Sequence, residues 1–471
     1  MKNKKAWRYS LNSKAFIIGA VVIVLLLNAI LIALNDKISL EIDFTKDQIF
    51  ALTEESKEIV DQIDADTEIL MLTTGTESET LSMVQNVLEE YTQRNSKITV
   101  REVDVIKNPA EVQAYAYELA DMAIGSLIIR QGERYEFVNS QDFFSQNGYS
   151  YVERMVTTKL ASFIDGITLS EITFTTGHGE QISSNATKIL EMGGYSVKQL
   201  DMLTGELPAE ANSLVIISSP QTDFSPEEID KLDAYLDKGG NVQIYFDPLY
   251  GGAGLINLES YLTEDWGVIR NNDVIFDRGN MIENSNFMLA ELGEHEMVEP
   301  IAESQKRAGY GPANSLDRAV EIPPSVEIST VLSTTDEAYA KGSLESLKEG
   351  DVAKAPDDAE GPFDVMLVAE RQTSNVENEV FTGRLVVGGS VLIFDQLTTD
   401  TRFANEDLLL NSVSWMKGAS ASITVRAKAL PGGKMVLSKT QFWTWFVILV
   451  AVVPLAILGA GIVVFMKRRY K

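Results

Sequence analysis

The residues best suited to chemistry in this 471-residue chain stand in one short turn, Gly177-His178-Gly179-Glu180. His178 is one of only two histidines, and imidazole is the side chain that titrates nearest neutral pH. The flanking glycines would let a ligand approach the backbone, while His178 and Glu180 would supply hydrogen bonds or proton transfer. The alternative is a tight strand-to-helix turn whose imidazole bonds locally. We favour that alternative because the sequence shows no partner for His178, and ligand binding stays open.

Two aspartates extend this candidate site. Asp247 closes an alternating strand over residues 241–247, and Asp223 follows the apolar strand 214–218. In open parallel sheets, ligands bind outside the carboxyl ends of the strands. Asp223 and Asp247 are therefore binding candidates beside His178 and Glu180. The chain has 68 acidic residues, however, so a pair of carboxylates is a weak signal by itself.

Most catalytic machinery is missing from the sequence. There is no cysteine, which excludes disulfides, thiolate nucleophiles and thiolate metal sites. The chain has no Walker A loop and no G-x-S-x-G elbow, so it is neither an ATPase nor a serine hydrolase of that type. Only His178 and His295 offer imidazole, and they are far apart in the chain. We therefore expect no metal, no cofactor and no catalytic residues.

The elements around the turn alternate between strand and helix. Strand patterns at 171–176, 196–200, 214–218 and 241–247 are separated by helical patterns, one of which begins at Ser225 with Pro226 and Glu228. This predicts a mostly parallel α/β sheet over residues 151–418. Apolar periodicity fades at 277–362, which we interpret as an irregular insertion.

An earlier α/β unit occupies residues 39–150. Its patterns follow the order βαβ and then αββ, which is the order of a thioredoxin-like unit. Because the chain has no Cys-x-x-Cys, a redox role is excluded.

Two apolar runs, 15–34 and 442–466, are each long enough to cross a bilayer. Basic residues precede the first run and follow the second, so the positive-inside rule places both termini in the cytoplasm. A cleaved signal peptide is the alternative for the first run, but its apolar core is longer than such peptides use. The prediction is a two-pass protein with its bulk outside the cytoplasm.

The net charge of the whole chain is −28, and because both tails are basic, the region between them is more acidic still. Such an acidic field repels nucleic acid and anionic lipid headgroups. We therefore expect no nucleic-acid partner.

Four stretches resemble the GldG gliding-motility family: Asp43-Phe44-Thr45, the Phe50-Ala51-Leu52-Thr53 helix entry, TTGHGE from Thr175, and SSPQTDFSPEEIDKLDAYLDKGGNVQIYFDP from Ser218. The resemblance covers nearly the whole chain, including both terminal runs and the 405–415 helix. It implies an auxiliary subunit of an ABC-type transport system in the plasma membrane of a bacterium, working beside a separate ATPase and a multi-span permease. The 151–418 region is similar in layout to flavodoxin-like and class I glutamine amidotransferase-like folds, whose catalytic cysteine is absent here.

These observations predict a non-enzymatic accessory subunit whose outer domains bind a substrate or partner and whose terminal helices contact lipids and a permease. Homo-oligomerisation stays open. The alternatives are a cell-envelope enzyme built on the His178/Glu180 crevice and a structural envelope protein. The predicted segments are a basic tail (1–14), a first span (15–34), a thioredoxin-like domain (39–150), an amidotransferase-like domain (151–418) containing the insertion (277–362), a connector (419–441), a second span (442–466) and a basic tail (467–471).

Overall fold

The computed structural model describes residues 50–75, 78–115, 123–145, 148–164, 170–209, 213–249, 254–282, 285–304, 306–342, 353–375, 378–400, 402–418 and 425–430. Within these ranges, no helix is long and apolar enough to cross a membrane. Both predicted spans, 15–34 and 442–466, and both basic tails lie outside the described residues.

A small mixed sheet is built from the first elements of the chain. The elements are helix α1 (Glu54–Asp61), strand β1 (Thr67–Thr73), helix α2 (Glu79–Arg94), strand β2 (Ile98–Asp104), the short helix α3 (Pro109–Val112), strands β3 (Leu127–Gln131), β4 (Arg134–Val138) and β5 (Tyr149–Ser150), and helix α4 (Val152–Ala161). The strand order is β2-β1-β3-β4, with β1 parallel to β2 and antiparallel to β3. This is the order of elements that the sequence predicts.

The next elements continue the alternation of strand and helix. They are strand β6 (Glu171–Thr176), helix α5 (Ser184–Met192), strands β7 (Ser196–Asp201) and β8 (Leu214–Ser218), helix α6 (Pro226–Leu236), strand β9 (Asn241–Tyr245) and helix α7 (Ile256–Trp266). Strands β6, β7, β8 and β9 run parallel to their neighbours, as expected.

The remaining elements are mostly strands. They are β10 (Val268–Arg270), β11 (Val274–Phe276), β12 (Met288–Leu289), β13 (Glu291–Leu292), helix α8 (Glu299–Ser304), β14 (Gly309–Tyr310), β15 (Leu316–Arg318), β16 (Val326–Ser333), β17 (Tyr339–Lys341), β18 (Ala359–Glu360), β19 (Asp364–Ser374), β20 (Val380–Gly388), helix α9 (Asn405–Lys417) and β21 (Lys428–Ala429).

The large sheet is mixed rather than mostly parallel. Its order is β10-β15-β19-β20-β9-β8-β6-β7, and β16 also pairs with β19. The half from β20 to β7 is parallel, whereas β10, β15, β16 and β19 pair antiparallel. The difference from the prediction arises because β15 and β16 come from the segment 277–362.

That segment is also more regular than the sequence suggests. Its described residues contain strands β12 to β18, and the eight-residue β16 pairs along β19. The interpretation as an irregular insertion is therefore wrong for these residues. Most of the strands have only two or three residues, and β16 shifts register near Leu332. Apolar and polar residues therefore do not alternate over enough positions for the sequence to predict strands here.

The large sheet has an apolar core on each face. Consecutive residues of β19 divide between the two cores: Val368 packs in a cluster with α5 and α9 residues, and Leu367 in a cluster with α6 and α7 residues. This follows from the alternation of side chains along a strand. Contacts place the described residues from Leu52 onward in one compact unit, and the domain boundary near residue 150 stays a prediction.

Candidate functional site

The predicted turn connects β6 to α5 at the carboxyl end of the parallel strands. Gly177 and Gly179 have φ values of 111° and 76°, which lie in the left-handed region that glycine adopts without strain. The His178 carbonyl accepts hydrogen bonds from the amides of Gln221 (2.8 Å) and Thr222 (3.1 Å) in the loop that follows β8. The turn is therefore held by its own glycines and by the neighbouring strand's loop.

The imidazole of His178 lies between two buried carboxylates. Its Nε2 atom is 3.3 Å from Glu228 Oε2, and its Nδ1 atom is 3.8 Å from Glu180 Oε1. The second distance is too long for a hydrogen bond and describes an electrostatic contact. Glu180 also accepts a 2.7 Å hydrogen bond from the His178 amide. One side chain thus holds both the backbone and the ring of the same residue.

An aromatic ring covers one face of the histidine. Phe224 stacks on His178 with ring centroids 4.0 Å apart and planes inclined by 20°. Only 4% of His178 is exposed, and Phe224 is also buried. The imidazole is therefore enclosed within the protein and is not open to a ligand in this conformation.

Electrostatics favour a charged His178. The Glu180 carboxylate, and then Glu228, raise the pKa of His178 above its ordinary value, although burial opposes the shift. Burial alone would raise the pKa of Glu180, but His178 and backbone N–H donors lower it. Opposite charges within a few ångströms have these effects on both partners. The three side chains form a buried cluster in which an imidazole stands between two carboxyl groups, and the raised pKa of His178 favours its protonated form.

The two predicted aspartates have other partners. Asp223 accepts hydrogen bonds from the amides of Asn257 (2.8 Å) and Leu258 (3.2 Å), at the first residues of α7. A carboxylate at this position accepts from amides that have no partner within the helix. Its negative charge also interacts favourably with the positive end of the helix dipole. Asp247 is buried and accepts a 2.8 Å hydrogen bond from the Leu249 amide. These contacts account for Asp223 and Asp247 as residues that shape the local backbone.

Sequence reasoning missed two residues that contact His178. The sequence predicts Glu228 as a capping-box residue, and the structure confirms this. Nothing in the sequence indicates that the same carboxylate also contacts His178. Phe224 is the residue before the Ser225 cap, a position where an apolar side chain is common. Ser219 is a further residue that the sequence does not single out. It follows β8, is fully buried, and has an unusual positive φ of 55°. Of the predicted residues, the structure brings together Gly177, His178, Gly179 and Glu180.

Comparison with protein families identifies the chain. A family model described as an ABC-type uncharacterized transport system matches residues 169–412, which is more than half of the chain. The chain belongs to this family. A second model, a domain of unknown function (DUF7088), matches residues 46–145. The His178 cluster lies inside the region matched by the ABC-type transport family, whereas helix α4 lies between the two matched regions.

Comparisons with individual proteins add little. No curated protein matches the chain. Among solved structures, the mmIFT52 N-terminal domain is 16% identical, with a TM-score of 0.36, covering 52% of this chain and 97% of the other. Exo-beta-1,4-mannosidase Op5Man5 from Opitutaceae bacterium strain TAV5 is 9% identical, with a TM-score of 0.28, covering 71% of this chain and 48% of the other. Both scores are too low to support an argument about fold or function.

An open cavity lies away from the His178 cluster, in the small sheet. It has a volume of about 420 Å³ and lies where the chain leaves β1 and enters α2. Its lining combines hydroxyl and amide side chains such as Thr74, Thr80 and Gln141 with the apolar Leu81 and Phe143, and all its lining side chains are uncharged. Across the described part of the chain, no group of three or more His, Asp or Glu residues is placed to hold a metal.

Proposed function

We propose that the chain is a non-enzymatic, membrane-anchored accessory subunit of an ABC-type transport complex, and that its outer region binds a substrate or a partner. The observation that supports this proposal is the family match over residues 169–412. The partners would be a separate ATPase and a multi-span permease, because the chain has no Walker A loop and two spans are too few to form a transport path.

The predicted topology fits this role. The apolar runs 15–34 and 442–466 would anchor the chain in the bacterial plasma membrane with both termini in the cytoplasm. The acidic region between them would stand outside the cytoplasm. The resemblance to the GldG family extends the proposal to gliding-motility-like complexes. The thioredoxin-like and amidotransferase-like assignments of the two outer domains belong to the same proposal.

The enclosed His178 cluster favours a scaffolding role for this turn over catalysis. A catalytic acid or base must reach the proton that it transfers, directly or through one water molecule. His178 is enclosed by Phe224, Glu180 and Glu228, and Ser219 is fully buried at the end of β8. Buried charges that are paired in this way commonly organise local structure.

Co-purification tests the proposal. The full chain, carrying an affinity tag, is extracted in mild detergent, and the retained proteins are identified by mass spectrometry after washing. We expect a Walker-type ATPase and a multi-span permease to be retained together. A second tagged chain, in which 442–466 is replaced by an unrelated apolar span of equal length, tests whether the partners bind through that span.

A matched control separates specific from general association. An unrelated two-span membrane protein with the same tag should retain neither partner under identical washing. Repeated recovery of the chain alone, or equal recovery of both partners with the control, would contradict the proposed role.

A further inference from the structure

The carboxylate of Glu153, on helix α4, binds two segments from opposite ends of the described chain. Its Oε1 atom accepts a 2.6 Å hydrogen bond from the Thr53 amide, and its Oε2 atom lies 2.5 Å from Lys428 Nζ. Glu153 is 5% exposed and the Lys428 side chain 10%. Thr53 opens the first described helix, and Lys428 belongs to the last strand, β21. One buried side chain therefore contacts both the segment 53–61, which we call the entry, and the segment 425–430, which we call the exit.

Neighbouring contacts reinforce the exit. Arg154, the next residue of α4, donates to the Val425 carbonyl and forms a buried ion pair with Glu406 of α9. Strand β21 pairs antiparallel with β5, directly before α4, and the Leu430 amide donates to the Gly148 carbonyl at 2.8 Å. The exit segment 425–430 is thus held by backbone and side-chain bonds on one side of α4.

A chain of buried hydroxyls reinforces the entry. Thr53 Oγ1 donates to Ser56 Oγ at 3.2 Å, and Thr157 Oγ1 on α4 donates to the same Ser56 oxygen at 2.9 Å. Tyr91 of α2 lies 2.6 Å from Thr157 Oγ1, and its hydroxyl is 3.0 Å from the Glu153 carbonyl. Ser56, Tyr91 and Thr157 are fully buried, so breaking these bonds leaves polar groups without solvent.

Helix α4 also contacts the small sheet on one side and helix α5 on the other. Lys159 forms a 2.9 Å ion pair with Glu136 on β4 of the small sheet. On the other side, Thr158 Oγ1 donates to the Met192 carbonyl at the end of α5, at 3.3 Å. The helix that binds the two ends therefore lies between the small sheet and helix α5.

We propose that Glu153 is a clamp that makes the entry and the exit of residues 53–428 move together, and that helix α4 passes their movement to the small sheet and to helix α5. The physical reason is the high cost of a buried carboxylate that loses a partner. If one end separates from Glu153, the charge loses a hydrogen bond or its cation while still buried. Each end is therefore most stable when the other is also bound.

The absence of cysteine allows a direct distance measurement on the full chain in lipid nanodiscs. Glu55→Cys and Arg426→Cys place spin labels at two exposed positions beside the clamp. We expect one narrow distance distribution in this background. Adding Glu153→Gln, which keeps the shape but removes the charge, should broaden it.

Two further variants complete the test. Lys428→Met keeps the apolar stem, removes the cation and should also broaden the distribution, so the clamp is tested even where Glu153→Gln fails to fold by circular dichroism. Glu136→Gln, which removes the partly exposed ion pair between strand β4 and Lys159 of the same helix, is the control and should leave the distribution narrow. An unchanged distribution in both Glu153→Gln and Lys428→Met would overturn the proposal.

Hydrogen exchange distinguishes a shared clamp from two separate contacts. In Glu153→Gln, amide exchange should accelerate by about tenfold or more in both 53–61 and 425–430, as expected when a charge-assisted bond is lost. In Lys428→Met, the entry segment should accelerate as well, because the remaining carboxylate is unpaired. Acceleration confined to the exit segment in Lys428→Met would show that the ends are independent.

Discussion

A histidine between two buried glutamates couples proton binding to folding. His178 lies within 4 Å of carboxylate oxygens from Glu180 and Glu228, and its ring is covered by Phe224. The protonated imidazole compensates two buried negative charges. The neutral imidazole carries no charge, so the two carboxylates then repel each other without compensation. The charge state of this residue therefore decides how stable the strand-end turn is.

Stability should depend on pH through this cluster. Because the folded pKa of His178 is raised, its stabilising contribution is complete below the unfolded pKa of 6.5 and is lost as the pH rises through the folded value. Because the folded pKa of Glu180 is lowered, its contribution is complete above the unfolded value of 4.5 and is lost as the pH falls through the folded one. The cluster should stabilise the protein most between pH 4.5 and 6.5. Urea unfolding of the parent and of His178→Gln, in this range and above it, measures the difference, which should shrink as the pH rises through the folded pKa of His178.

The second histidine provides the control. Burial lowers the pKa of His295, so its contribution to stability has the opposite sign and grows as the pH rises. Because His295 is neutral in both states above the unfolded pKa of 6.5, His295→Gln should remove a loss of stability that develops as the pH falls below 6.5, while His178→Gln should remove one that develops as the pH rises. Identical pH profiles for the two variants would contradict the assignment of opposite shifts.

At this scale the sequence predicts only what is local. Glu180 stands two residues from His178, so their pairing is readable from the turn itself. Glu228 reaches His178 because β6 and β8 are adjacent in the sheet, a relation that no spacing in the sequence reveals. Asp223 and Asp247 are binding candidates from their positions after strands, and this stays a prediction. In the structure Asp223 accepts from the amides of Asn257 and Leu258, and Asp247 accepts from that of Leu249.

Helix α6 begins with a complete capping box. The Ser225 hydroxyl accepts from the Glu228 amide at 3.3 Å, and Glu228 accepts from the Ser225 amide at 2.9 Å. Ser225→Ala should lower the free energy of unfolding by about 1 kcal/mol, because one helix amide loses its acceptor. It should also reduce the alkaline sensitivity described above, since Glu228 is less well held beside His178. Urea unfolding at pH 6 and pH 8 measures both effects.

Thr92→Ala is the matched control for the lost hydroxyl. Thr92 lies inside α2, and its hydroxyl bonds to the Glu89 carbonyl of the same helix at 2.8 Å. Its removal should change stability by less than about 0.5 kcal/mol. Equal losses from both substitutions would argue against a special role for the cap.

Elements with strong local signals are predicted well from the sequence. The capping residues Thr53 and Ser225 mark helix starts that the structure confirms, and the apolar strand Leu214–Ser218 is confirmed to the residue. The sequence pattern also predicts one helix over residues 111–121, and here the structure differs. Its described part has a short helix, Pro109–Val112, and one 3₁₀ turn, Gln113–Tyr115, so the helical geometry tightens soon after the start.

One buried ion pair joins distant parts of the whole molecule. Arg154 on α4 and Glu406 on α9 have exposed side-chain fractions of 2% and 8%. Arg154→Met or Glu406→Leu alone should cost about 3–5 kcal/mol, since each leaves a buried charge without its partner. The double variant should lower the free energy of unfolding by less than either single variant, because both charges of the pair are then absent. Thermal unfolding of the three variants measures this, and losses that simply add would contradict the coupling.

The fold of the whole molecule could be predicted only in part. The parallel half of the large sheet follows from alternating strand and helix patterns with clear caps. The antiparallel half depends on β15 and β16, whose pairing partner β19 lies tens of residues away in the chain. Pairing across such distances is set by the burial of β19 between two cores and leaves no local periodicity.

Thr53 and Lys428 meet at Glu153, so the two ends of this region lie close enough for the chain to be circularly permuted. Because both residues reach the same carboxylate, a short glycine-rich peptide could join them without moving any element. New ends could then be opened at Gly132, in the β3–β4 turn, where a side chain at Cβ would meet nothing within 4 Å. A circularly permuted protein of this kind would keep both sheets and the His178 cluster while being free of the segments that lead to the predicted spans.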